Sequence, residues 1–113
     1  MSQAIRNQVQ LIGHVGDDPV TKQLDGGKQV TNMRLATNHS FTNAQGEKVD
    51  HTDWHNIVLW NKTAEVAAKF LKRGSEVAIQ GRLTTRSYEK DGQTRYVTEV
   101  VGAEMLLLGK REG

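Results

Sequence analysis

Cysteine is absent from this sequence, which excludes disulfides and thiolate metal sites. Proline occurs once, at Pro19, and aromatic residues make up only 5% of the chain. No apolar run approaches the ~20 residues that a membrane-spanning helix needs. Met1 to Gln10 shows no charged-then-apolar signal pattern, and the chain reads as cytoplasmic. Internal repeats and low-complexity stretches are missing too. Gly26-Gly27 lacks the Lys and Ser/Thr spacing of a phosphate-cradling loop. Spacing supports no Ser/His/Asp or Cys/His constellation for nucleophilic catalysis.

What is present is a chain of 113 residues, a length that suits one domain of ~100–200 residues. Such a chain can bury most of its apolar surface and fold without staples. The net charge is +2 and the sequence pI about 9.0. That balance permits a polyanionic partner without requiring one.

Short strands separated by turn signals dominate the pattern. Val9 to Gly13 predicts a first strand, and Asp17-Asp18-Pro19 and Asp25-Gly26-Gly27 read as turns. Val30 to Asn38 alternates, with Met33, Leu35 and Thr37 on one face and Arg34, Ala36 and Asn38 on the other. Ser40 to Asp50 is too polar to pack and predicts an exposed loop or hairpin tip. Thr52 to Trp60 then sets Trp54, Asn56, Val58 and Trp60 against His55, Ile57 and Leu59.

Lys62 to Arg73 predicts the one helix, with an apolar stripe of Val66, Ala67, Phe70 and Leu71 and a stop at Gly74. Glu76 to Thr85 predicts a strand with Val77, Ile79, Gly81 and Leu83 on one face. Glu89 to Gly92 reads as a hairpin turn, Arg95 to Val101 as the return strand, and Met105 to Leu108 closes the apolar content. Five strands with one helix between the third and fourth is the order of the all-β OB-fold, a five-stranded Greek-key barrel. The expected domain spans residues 1–109, followed by a short polar end over 110–113.

Because aromatics are scarce, their placement carries information. Trp54 and Trp60 lie opposite Ile57 and Leu59, so the strand is apolar on both faces. A partner subunit could cover the second face. Alternatively bases stack there, since every base has a π-face that an exposed indole can bind. Tyr88 shares an alternation with Arg82, Thr84 and Arg86, which combines aromatic and cationic groups on one face. Phe41 stands at the mouth of the polar loop without apolar neighbours in sequence. By strand parity Arg34, Arg82 and Arg86 fall beside these aromatics, and Lys62 follows Trp60 closely. Lys72 and Arg73 complete the candidate phosphate-binding set. His51, Asp53 and His55 alternate and could offer three metal ligands. Parity also sends Ile57 and Leu59 to that face, which favours a packed His55 and no metal.

Several segments in combination resemble the bacterial single-stranded DNA-binding protein family. They include Asp17-Asp18-Pro19-Val20, Leu35-Ala36-Thr37-Asn38 and Thr52 through Trp60. Leu71 to Val77, Gly81 to Arg86, Tyr96 to Val101 and Met105 to Gly109 complete a match covering about Val9 to Gly109. The resemblance implies an OB-fold protomer, a homotetramer and sequence-tolerant wrapping of single-stranded DNA in replication, recombination and repair. It implies no catalysis, no cofactor, and a cytoplasmic, nucleoid-associated location. The family's stacking aromatics fall on Phe41, Trp54, Trp60 and Tyr88. Phe41 and Tyr88 stand where relatives often carry Trp, and Trp60 where they often carry Phe. His55 matches a position used at the subunit interface. The family's Gly/Pro-rich linker and acidic tip have no counterpart in Lys110 to Gly113, so tail-mediated recruitment of other proteins is not expected. Two alternatives stay open: a tail-less primosomal-type OB protein, and a module whose aromatics bind protein.

Overall fold

The computed structural model describes residues 6–108. Of the expected domain over 1–109 the described residues cover 6–108, and the expected polar end, 110–113, lies outside them. Six strands and one α-helix occur among them: β1 (Val9–Val15), β2 (Val20–Gln23), β3 (Gln29–Thr42), β4 (Lys48–Trp60), α1 (Asn61–Phe70), β5 (Glu76–Lys90) and β6 (Gln93–Leu107). They form one sheet in the order β1-β5-β6-β4-β3-β2. Pairing of His14 with Ala36 and Val15 with Leu35 joins β1 to β3 and closes the sheet into a barrel. That closure needs Gly13, where a Cβ would run into the Ala36 carbonyl oxygen. The barrel is the expected OB-fold, with α1 between the third and fourth of its long strands; β2 is a short addition at the edge.

The core follows strand parity. Met33, Leu35, Ile57, Leu59, Val77, Ile79 and Val100 point inward, and Ala64, Ala67 and Leu71 cap them from the helix side. The register between β5 and β6 shifts beside Gly81, whose partner is Gly102 while Gln80 meets Glu104. The extra residue, Ala103, resets the parity of β6, so that Val100 before it and Met105 after it both face the core.

Besides the added β2 and the longer β5 and β6, the structure departs from the expectations at three places. The helix ends at Phe70 rather than Arg73, because Leu71 turns extended (φ −102, ψ 145) and drops into the core. Lys72 to Ser75 then form a turn in which Gly74 takes φ +92. Phe70 is thereby left 62% exposed instead of joining the buried stripe.

The second departure is at the polar stretch from Ser40 to Asp50, which is mostly paired strand. β3 and β4 run on together as far as the Thr42–Lys48 pair. Only Asn43 to Glu47 turn, with Asn43 Oδ1 accepting the Gln45 and Glu47 N–H groups. Third, Leu83 is exposed although it shares the inward face of β5 and pairs with the buried Val100, because β1 accompanies β5 only as far as Gly81; further on, the β5–β6 hairpin projects alone. The two projecting hairpins also account for a radius of gyration of 16.3 Å, against about 13 Å for a compact 100-residue domain.

Candidate nucleic-acid interface

The β3–β4 pair places two strand faces back to back. On the outer one, Trp54, Asn56, Val58 and Trp60 of β4 lie opposite Ala36, Arg34, Asn32 and Val30 of β3. The inner face takes Ile57 and Leu59 into the core, so the indoles have no interior to enter. Trp54 is 50% and Trp60 41% exposed. A wide aromatic surface held half open on a rigid strand offers a flat face that another planar ring could meet.

The basic groups are fixed beside it. The Arg34 guanidinium carbon sits 4.3 Å above the Trp54 ring, and Arg34 Nε lies 3.4 Å from Asp17 Oδ2. From β5, Arg86 donates through Nε and Nη2 to the two carboxylate oxygens of Glu99, at 3.0 and 3.1 Å. Glu99 is 8% exposed. A buried carboxylate needs such donors, and the fork of an arginine supplies two in parallel. The bond to Glu99, then its charge, raises the Arg86 pKa above the ordinary arginine value. A raised pKa means that the pair's contribution is complete below the ordinary value and is lost only at still higher pH. Arg86 therefore keeps its charge in every working buffer.

A groove of about 310 Å³ joins these elements, with Trp60 and Val58 on one wall and Arg86, Glu99 and Thr84 on the other. A second groove, of about 340 Å³, shares Asn32 and Glu99 with it and continues past Asn56 to Arg34 and Asp17. The two form one track across the sheet from Trp60 to the Arg34–Trp54 stack. Tyr88 extends the aromatic surface along the projecting hairpin, on the same face as Arg86 and opposite Arg95.

Other candidates lie apart. Phe41 is on the projecting β3–β4 hairpin, half-exposed and opposite Val49, on the strand face of Leu35 rather than of Trp54. Lys62 is exposed in the first turn of α1, directly beyond Trp60 and Asn61. Lys72 and Arg73 occupy the turn after α1, where the Arg73 N–H donates to Asp18 Oδ1 at 2.8 Å. Arg82 borders a separate groove of about 300 Å³ beside Gln80 and Ala103.

His55 is half-buried and shares a 3.0 Å hydrogen bond with Thr37 Oγ1. It does not join His51 and Asp53. His51 bonds Asp53 at 3.0 Å and faces His39 across the hairpin, with ring centroids 5.1 Å apart. Among the described residues no cluster of three His, Cys, Asp or Glu is arranged to hold a metal ion.

Sequence reasoning treated Asp17 only as a turn residue and overlooked Glu99. A signal for Glu99 existed. Counting back from a two-residue turn at Asp91-Gly92 sets Glu99 opposite Thr84 and diagonal to Arg86, within reach of a long side chain.

Residues 6–108 match the model of the single-strand binding protein family. The chain belongs to that family. It is 42% identical to single-stranded DNA-binding protein 1 of Chlorobaculum tepidum over 108 residues, covering 94% of this chain and 67% of that protein. Its fold superposes with a TM-score of 0.83 on a Plasmodium falciparum SSB solved in complex with ssDNA. That pair is 34% identical and covers 90% of this chain and 94% of the other. A deletion mutant of the single-stranded DNA binding protein from Thermus aquaticus gives a TM-score of 0.82 at 30% identity, over 93% of this chain and 51% of that one. No helix among the described residues is long and apolar enough to cross a membrane.

Proposed function

We propose that this chain binds and wraps single-stranded DNA without strong sequence preference, in DNA replication, recombination and repair. One observation supports the mechanism above the rest: the outer β3–β4 face holds Trp54 and Trp60 half open, with Arg34 and Arg86 fixed between and beside them. Bases stack on the two indoles and on Tyr88, with Phe41 meeting the strand on the other hairpin. Phosphates pair with Arg34, Arg86, Arg82 and Lys62, and with Lys72 and Arg73 where the strand crosses the turn after α1. Stacking uses the π-face common to all bases, so the binding tolerates sequence. The domain comprises residues 1–109, acts without catalysis or cofactor, and works in the cytoplasm on the nucleoid.

The working form is a homotetramer. Ile12, Ala78 and Leu106 lie side by side across β1, β5 and β6, and Ile12 and Leu106 are exposed. Such an apolar row suits contact with a second copy, and His55, half-buried beside Thr37, lies at a subunit boundary.

The test is a titration with oligo-dT, followed by tryptophan fluorescence at two salt concentrations. Strong quenching is expected, weakening with a log–log slope of about −0.7 per phosphate neutralised. No quenching and no binding would assign Trp54 and Trp60 to a protein contact instead, whereas quenching without salt dependence would remove the phosphate contacts. Arg86→Lys sharpens the test. Lysine keeps the charge but cannot make the two-pronged bond to Glu99. The variant is expected to bind oligo-dT more weakly than wild type with an unchanged salt slope.

A further inference from the structure

We propose that Gly16 and Asp17 are positioning residues for DNA binding, which set the Trp54 indole as a preorganised platform. The inference rests on the stacking role proposed above and adds how one platform is held. Trp54 is pinned on two sides. Its six-membered ring lies so close to Gly16 that a Cβ there would run into Trp54 Cζ3. Above the ring sits the Arg34 guanidinium, held by Asp17 from the same turn. That turn is itself tied down. The Gly16 N–H donates to the Arg34 carbonyl at 2.9 Å, and Asp18 receives the Arg73 N–H. Glycine is needed at 16 for room and not for backbone conformation, since its φ lies outside the left-handed region.

An indole clamped in this way loses little side-chain freedom when a base arrives, and that saving appears as affinity. Arg34 also holds positive charge against the Trp54 ring. With half of its side chain open, its remaining N–H groups can still meet a phosphate. Asp17 acts through Arg34 and touches no nucleotide.

This makes an unusual prediction of sign. Asp17→Asn removes a negative charge from a surface that binds a polyanion, and simple electrostatics then demands tighter binding. The clamp demands the opposite: Asp17→Asn binds labelled oligo-dT about two- to fivefold more weakly, the size of an exposed cation–π contact. Gly16→Ala pushes the indole from its seat and loses about fivefold or more.

Anisotropy titrations of both variants, alone and combined with Trp54→Ala, decide the matter. The expected result is that each loss is present with Trp54 and vanishes without it. Tighter or unchanged binding by Asp17→Asn overturns the clamp, as does a loss that persists in the Trp54→Ala background. Asp17 is mostly exposed, so its variant keeps the test open if Gly16→Ala fails to fold. If Trp54→Ala alone binds as wild type, the stacking role itself fails. If Trp54→Ala loses affinity while Asp17→Asn and Gly16→Ala do not, only the clamp fails.

Discussion

Replacing both Trp54 and Trp60 with alanine is expected to weaken oligo-dT binding by between about 30-fold and 10⁴-fold. Stacking of one base on one aromatic is worth about 1–3 kcal/mol, and each 1.4 kcal/mol is a factor of ten. The two indoles are six positions apart along one strand, a span of roughly 20 Å. Sites that far apart contribute almost independently, so the two losses should add. Both side chains lie half-open on the outer face, and neither belongs to the packed core. The double variant should therefore keep nearly the wild-type unfolding midpoint in urea. Affinity measured by anisotropy and stability measured by denaturation separate the two effects. Wild-type affinity in the double variant would mean that the track between the indoles is not where DNA lies.

The reason this face could be read from sequence is strand parity. A period of two leaves no choice once Ile57 and Leu59 are assigned to the core: Trp54, Asn56, Val58 and Trp60 must face the other way. The β5–β6 register was equally open to reading as far as the Gly81–Gly102 pair, because Asp91 and Gly92 take positive φ in a two-residue turn that sets those pairs. Helical periodicity was a weaker guide. Phe70 and Leu71 are both apolar at the end of one stripe, and only the turn back towards β5 decides that Leu71 enters the core while Phe70 does not.

Contacts between elements distant in sequence were not legible at all. Nothing near Gly16 announces that an indole from β4 will rest on it, or that Asp17 will meet Arg34 across the barrel closure. Leu83 illustrates the same limit from the other side. Its parity is inward and its partner Val100 is buried, yet β1 pairs with β5 only as far as Gly81, and how far a neighbouring strand reaches is a tertiary property.

Ile57→Ala is the second large effect, and it tests the opposite face of the same strand. Ile57 is fully buried, paired with Met33 on β3 and Val100 on β6, where β4 changes from an antiparallel to a parallel neighbour. Truncation there removes apolar burial and leaves a cavity among strands that cannot collapse, at a cost of about 2–5 kcal/mol. That is a large part of the 5–15 kcal/mol that holds a typical domain together. A urea denaturation midpoint well below wild type, at fixed protein concentration, is the expected result. The binding face should survive in the molecules that remain folded, because Trp54 and Trp60 lie on the far side of the strand. Saturating oligo-dT at about 100 times its dissociation constant should then restore about 2.7 kcal/mol. The Trp54/Trp60 double variant should gain much less from the same oligonucleotide. If DNA rescues both variants equally, or neither, the division of β4 into a folding face and a binding face is wrong.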